Sequence, residues 1–153
     1  EGEKTFHNIF SNKIQSKILP IGNLEKTALG LLLLTDDEHL LEKFSKGTTS
    51  LHSIFELILD DDFDSAVLPK IKASLIQENP NIHSINFVKE KTALVEIKGG
   101  SDADLKKAWE DQGITIKKID RILLNDLTKK DLPRRRFRFL TEQEVVFLKH
   151  FSK

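Results

Sequence analysis

The 153 residues carry 24 Lys and Arg against 24 Asp and Glu, so bulk charge points neither to nucleic acid nor to an acidic membrane surface. The mix of 39% hydrophobic and 31% charged residues is that of a folded single domain, spanning 1–153. Cysteine is absent, which excludes a disulfide framework and thiolate metal ligation, and the longest apolar run, Ala28 to Leu34, is far below the roughly 18–20 residues of a membrane helix; both fit a cytoplasmic protein without a membrane partner.

In chain order, Asn23 can cap a helix running to about Leu34. Thr35-Asp36-Asp37-Glu38 reads as a capping box, in which a hydroxyl and a carboxylate serve each other's orphan amides, opening a helix to Phe44 that stops at Gly47. Thr49 or Ser50 is then the expected cap of a third helix, since Leu51, Ile54, Phe55 and Ile58 fall at i, i+3, i+4 and i+7. A fourth helix is expected after Ser65, with Pro69 tolerated in its first turn, Val67, Leu68, Ile71 and Leu75 buried, and Pro80 ending it.

The period then changes. Ile82 to Val88 and Thr92 to Ile97 read as strands of a hairpin turning at Lys89-Glu90-Lys91. Gly99-Gly100 breaks the second strand, Ser101 and Asp104 form a capping box, and the helix that follows carries Leu105, Ala108 and Trp109 on one side up to Gly113. Ile114 to Leu124 is a strand long enough to hold a bulge, and Arg134 to Leu140 is expected as another. Thr141-Glu142-Gln143-Glu144 opens a terminal helix with Val145, Leu148 and Phe151 inward. The predicted class is α+β: N-terminal helices on a small, mainly antiparallel sheet, with a C-terminal helix.

Little in the chain carries chemistry. No two of His7, His39, His52, His83 and His150 stand at i, i+3 or i, i+4, so no helical metal pair exists. The cluster Asp60, Asp61, Asp62 and Asp64 fails as a calcium loop, because Ser65 and Ile71 occupy the places that need Gly and Glu. There is no phosphate loop, dinucleotide fingerprint or nucleophile elbow. The expectation is a non-catalytic protein with no cofactor, no metal and no small-molecule substrate.

The basic tract stands out. Lys117 to Arg138 holds nine Lys and Arg against three Asp. As a strand, Arg134, Arg136 and Arg138 share one face, and Arg135, Phe137 and Phe139 the other. Three readings fit: a phosphate-contacting strand with aromatic stacking, an Arg-rich protein-docking face, or an edge strand whose charges block aggregation. The stretch Asp36 to Asp64 has nine Asp and Glu against two Lys, which makes the chain bipolar.

Residues 24–98 resemble the contractile-tail baseplate wedge and sheath-initiator family, which includes the type VI secretion subunit TssE and shares its fold with the anti-adaptor IraD. The resemblance runs through Leu31-Leu32-Leu33-Leu34-Thr35, then Gly47 and Leu51-His52-Ser53-Ile54-Phe55-Glu56, then the corner Glu78-Asn79-Pro80-Asn81-Ile82 and its hairpin. Asn79 interrupts that corner, and Asn81 stands where the family has Arg; residues 99–153 form a C-terminal extension. The resemblance implies a structural component of a contractile injection system. Its partners would be wedge and sheath subunits, with Glu78, Pro80 and Ile82 as a packing corner and Arg134, Arg135, Arg136 and Arg138 as a docking edge. The alternatives are a nucleic-acid-binding module using residues 134–138, and a regulatory adaptor that binds one protein.

Overall fold

The computed structural model describes residues 10, 14, 17–46, 50–60 and 63–150. Its centre is an antiparallel sheet built from sequences that alternate. Strand β4 (His52–Leu59) turns Phe55, Leu57 and Leu59 inward, each at most 1% exposed. It pairs antiparallel with β6 (Thr92–Lys98) on one side and with β7 (Ile116–Leu124) on the other, and β5 (Ile82–Lys89) extends the sheet beyond β6. Register shifts at Ile54/Phe55 and Ile58/Leu59 mark the bulges that the length of the β7 segment predicts. The hairpin β5–β6 forms where the sequence places it.

Two helices cover the inner face. Helix α2 (Leu68–Glu78) has Pro69 in its first turn and buries Leu68, Ile71 and Leu75, while Val67 stays 40% exposed. A short 3-10 turn, Ser65–Val67, precedes it, and the Asp64 side chain accepts from the Ala66 amide. Helix α3 (Asp102–Asp111) is capped reciprocally by Ser101 and Asp104 and drives Leu105 and Trp109 into the core. Trp109 is fully buried and meets Phe87 edge-on, with ring centroids 6.3 Å apart. Each large apolar side chain so buried contributes about 1.5–3 kcal/mol.

The N-terminal third departs from expectation. No helix occupies 23–34. Instead β1 (Leu19–Ile21) pairs antiparallel with β3 (Leu33–Thr35), and the two-residue strand β2 (Leu29–Gly30) lies parallel to β7 at Asp120 and Arg121. Long-range pairing overrides the helix propensity of the leucines. A Cβ at Gly30, whose φ is +109°, would fall 2.2 Å from the Arg121 carbonyl oxygen, so only glycine permits this approach. The stretch read as a third helix is β4, because it is apolar on both faces. Ile54 and Ile58 are half-buried opposite Phe55 and Leu57, which mimics helical spacing.

Helix α1 (Glu38–Ser45) is present, but its cap is Asp37, whose carboxylate accepts from the His39 and Leu40 amides. Thr35 serves the Asp37 amide one step earlier. Gly47 and Thr49 lie outside the described residues. After β7 comes a tight turn and the short β8 (Leu127–Thr128), and the last described element is α4 (Glu142–His150). Thr141 Oγ1 accepts from the Glu144 amide, and Glu144 accepts from the Thr141 amide, which is the expected capping box. A second core, formed by Ile21, Leu33, Leu40, Leu124 and Leu148, joins α4 to α1, β1 and β3. The whole is α+β with a mainly antiparallel sheet and a C-terminal helix. Among the described residues no helix is long and apolar enough to cross a membrane.

Candidate functional site

Loop 22–28, between β1 and β2, is held from behind by two buried charges. Arg121 is 3% exposed. Its Nε donates to the Leu31 carbonyl at 2.8 Å and its Nη2 to the Gly22 carbonyl at 2.8 Å, so one planar guanidinium clamps both sides of the loop. It lies 6.0 Å from the Phe55 ring centroid. Burial pulls its pKa down to about 10, against the attraction of Asp102, so it remains a cation at neutral pH. Asp102 is 4% exposed, and its Oδ2 accepts from the Glu25 amide at 3.0 Å. A further bond, from the Ala28 amide to the Glu25 carbonyl, closes the turn, and Leu24 and Ala28 pack on the main core.

These contacts fix the loop backbone and leave Asn23, Glu25, Lys26 and Thr27 facing solvent. The Glu25 carboxylate makes no hydrogen bond or ion pair with a described residue. A polar side chain on an immobilised loop can meet a ligand at low entropic cost. In the sequence, the signals for this site were Gly22 and Gly30 flanking a polar stretch, and one Arg among the apolar residues of β7. Neither had been read as a site.

The basic tract is not a strand. Residues 134–140 turn and then run irregularly, with the Arg136 amide bonded to the Pro133 carbonyl and Arg135 at φ +61°. The face-sharing of Arg134, Arg136 and Arg138 is therefore lost: a residue at positive φ cannot continue a pleat. Arg138 instead makes a two-pronged pair with Glu144, at 2.8 and 2.7 Å, which holds the Glu144 carboxyl down to about 2. Arg134, Arg135 and Arg136 are exposed and pair with no described residue. Phe137 stacks edge-on against Phe10 and Phe139, at 4.7 and 5.9 Å, and Phe139 is 73% exposed.

At the predicted packing corner, Glu78 accepts from Ser74 at 2.6 Å and from Gln112 at 3.2 Å, and Pro80 is exposed. Ile82 is 6% exposed and belongs to the chain's own core. On the outer sheet face His52 donates to Glu96 at 2.8 Å. The Ser84 hydroxyl first, and His52 second, lower the Glu96 pKa. Among the described residues no group of three or more His, Cys, Asp or Glu is placed to hold a metal.

The fold is shared with a solved structure. It superposes with a TM-score of 0.79 on a crystal structure of a pseudouridylate synthase, at 18% identity, over 94% of this chain and 65% of the other. The curated relatives carry the same kind of name. The ribosomal large subunit pseudouridine synthase B of Pasteurella multocida is 23% identical over 141 residues, 88% of this chain and 41% of its own length. That of Haemophilus influenzae is 22% identical across 97% of this chain and 44% of its own length. An uncharacterised RNA pseudouridine synthase of Aquifex aeolicus is 22% identical over 97% of this chain and 61% of its own length. The chain thus spans about 41–61% of the length of these relatives. No family model matches it.

These findings overturn the contractile-tail resemblance, and with it the structural-component function and the baseplate and sheath partners. The expectation of a non-catalytic protein falls as well, since the similar proteins bear the names of enzymes. The helix–corner–hairpin pattern that carried the resemblance is generic, and two of its supposed helices are strands.

Proposed function

We infer that this chain is an RNA-modifying domain of the pseudouridine synthase kind, which binds RNA and reattaches the base of a uridine to its ribose through carbon. The observation that carries the reading is the loop anchored by Arg121 and Asp102 that presents Glu25. The relatives and the shared fold support it. The reaction is an isomerisation. The N1–C1′ bond breaks, a C5–C1′ bond forms, C5 gives up its proton and N1 ends protonated, so atoms balance without a cofactor. Positive charge develops at C1′ as the glycosidic bond breaks, and a fixed carboxylate stabilises it or captures it, as in glycoside chemistry. Glu25 is the carboxylate assigned that role. Asp102 cannot take it, because it is buried and already holds the loop amide. An RNA-acting domain of this kind would work in the cytoplasm.

The test uses fragments of large-subunit ribosomal RNA tritiated at uridine C5, because bond formation at C5 must release the label. Wild type should release tritium, and Glu25→Gln, which keeps shape and backbone, should be slower by about 10²–10³-fold. No release from any fragment by wild type would reject the catalytic reading. Unchanged release by the variant would remove Glu25 from it.

A further inference from the structure

The turn after β8 holds an uncompensated positive charge that the rest of the molecule does not use. Elsewhere in the tract the cations have partners: Lys117 pairs with Asp60 at 3.3 Å, Lys118 and Lys129 with Asp120 at 3.5 and 2.9 Å, and Arg138 with Glu144. Lys130, Arg134, Arg135 and Arg136 are exposed and pair with no described residue. Three consecutive arginines at a turn repel one another, and no acidic side chain among the described residues pairs with them; Asp131 is the nearest carboxylate along the chain. The turn is nonetheless held in shape. Pro133 and the bond from the Arg136 amide to its carbonyl close it, Arg138 locks its far end to α4, and Phe137 wedges it against Phe10. Just beyond, Phe139 is 73% exposed, and its ring meets Phe137 edge-on.

We propose that this turn is an RNA-docking element, with Arg134, Arg135 and Arg136 on backbone phosphates and Phe139 stacking on an unpaired base. The proposal rests on the RNA-acting reading above and specifies which RNA it takes: a strand with at least one unstacked nucleotide, such as a loop or bulge. Guanidinium groups match phosphate geometry and an exposed ring offers a platform to any base, whereas a fully paired helix hides its base faces. Arg138 is excluded from the docking set, because its fork is occupied by Glu144.

Binding of the full chain to a hairpin-loop RNA and to a fully paired RNA of equal length, measured across a salt series, tests this without reference to catalysis. Wild type should prefer the loop RNA. The triple variant Arg134→Gln, Arg135→Gln, Arg136→Gln should bind both RNAs at least about ten-fold more weakly and lower the salt slope by about 2, from roughly 0.7 per phosphate contact. Phe139→Ser should lose about five-fold or more on the loop RNA and nothing on the paired one. Thermal melts of the variants should match wild type, since none of these side chains supports the core. If wild type binds RNA and the triple variant matches it in affinity and slope, the docking role is overturned while the RNA reading stands. If Phe139→Ser weakens both RNAs equally, the stacking role is overturned. If wild type binds neither RNA, both the docking role and the RNA reading fail.

Discussion

Arg121 shows how one residue serves both fold and site. Its guanidinium is the donor to two carbonyls on opposite sides of the candidate loop, and it is packed against Phe55 with little access to water. Arg121→Met would keep most of the volume but leave the Gly22 and Leu31 carbonyls without a donor and Asp102 without its nearby cation. The expected cost is about 3 kcal/mol, measured by urea unfolding. Arg121→Lys keeps the charge, but a single ammonium on a flexible stem does not reproduce the planar fork. It should recover part of the stability while tritium release stays low, because the position of Glu25 depends on both carbonyl contacts. If Arg121→Lys restored release and stability together, Arg121 would be acting as a charge and not as a clamp.

At the scale of elements, α4 depends on its first turn. The Thr141–Glu144 box and the Arg138–Glu144 fork share one carboxylate. The Glu144 pKa is lowered from 4.5 to about 2, chiefly by Arg138 and next by the Thr141 amide. A carboxyl lowered on folding stabilises the protein above its unfolded value, and the contribution fades as pH falls from about 4.5 through about 2. Arg138 is 41% exposed, so solvent screening limits the effect to about 1 kcal/mol. Glu144→Gln should therefore be less stable than wild type by that amount at pH 6, and the gap should close toward pH 2. A gap that stays constant in denaturant titrations across this range would mean that the charge of Glu144 is irrelevant. This cap, like that of α3, the ends of α2 and the β5–β6 hairpin, was legible in the sequence because its signals are local: Thr141 with Glu144, Ser101 with Asp104, and Pro69 and Pro80. The N-terminal strands were not legible, because what makes Leu29–Gly30 a strand is Arg121, about ninety residues away. Strand β4 was misread because it is apolar on both faces. The basic turn was misread because Arg135 takes positive φ without being glycine, and composition carries no warning of that. The candidate loop was missed for the first of these reasons, since its anchors are distant and its own residues are unremarkable in type.

Across the whole molecule, two cores are joined at β7. The larger lies between the sheet and helices α2 and α3, and the smaller gathers β1, β3, α1 and α4 around Leu124. The loop carrying Glu25 runs between them: Ile21 before it belongs to the small core, and Leu24 and Ala28 within it pack on the large one. Its geometry therefore depends on the small core, which has fewer buried side chains and should open at lower free energy. Leu148 is 2% exposed and attaches α4 to that core. Leu148→Ala should cost about 2–3 kcal/mol. Hydrogen exchange would locate the loss. Amides of β1, β3 and α1 should exchange faster, by about 30–150-fold if they open as a local unit, while those of β5 and β6 keep their wild-type rates until global unfolding dominates. Uniform acceleration of all amides would instead make the two cores one cooperative unit. In the local case, tritium release should fall with the loosened loop, which would place the small core in control of the candidate site.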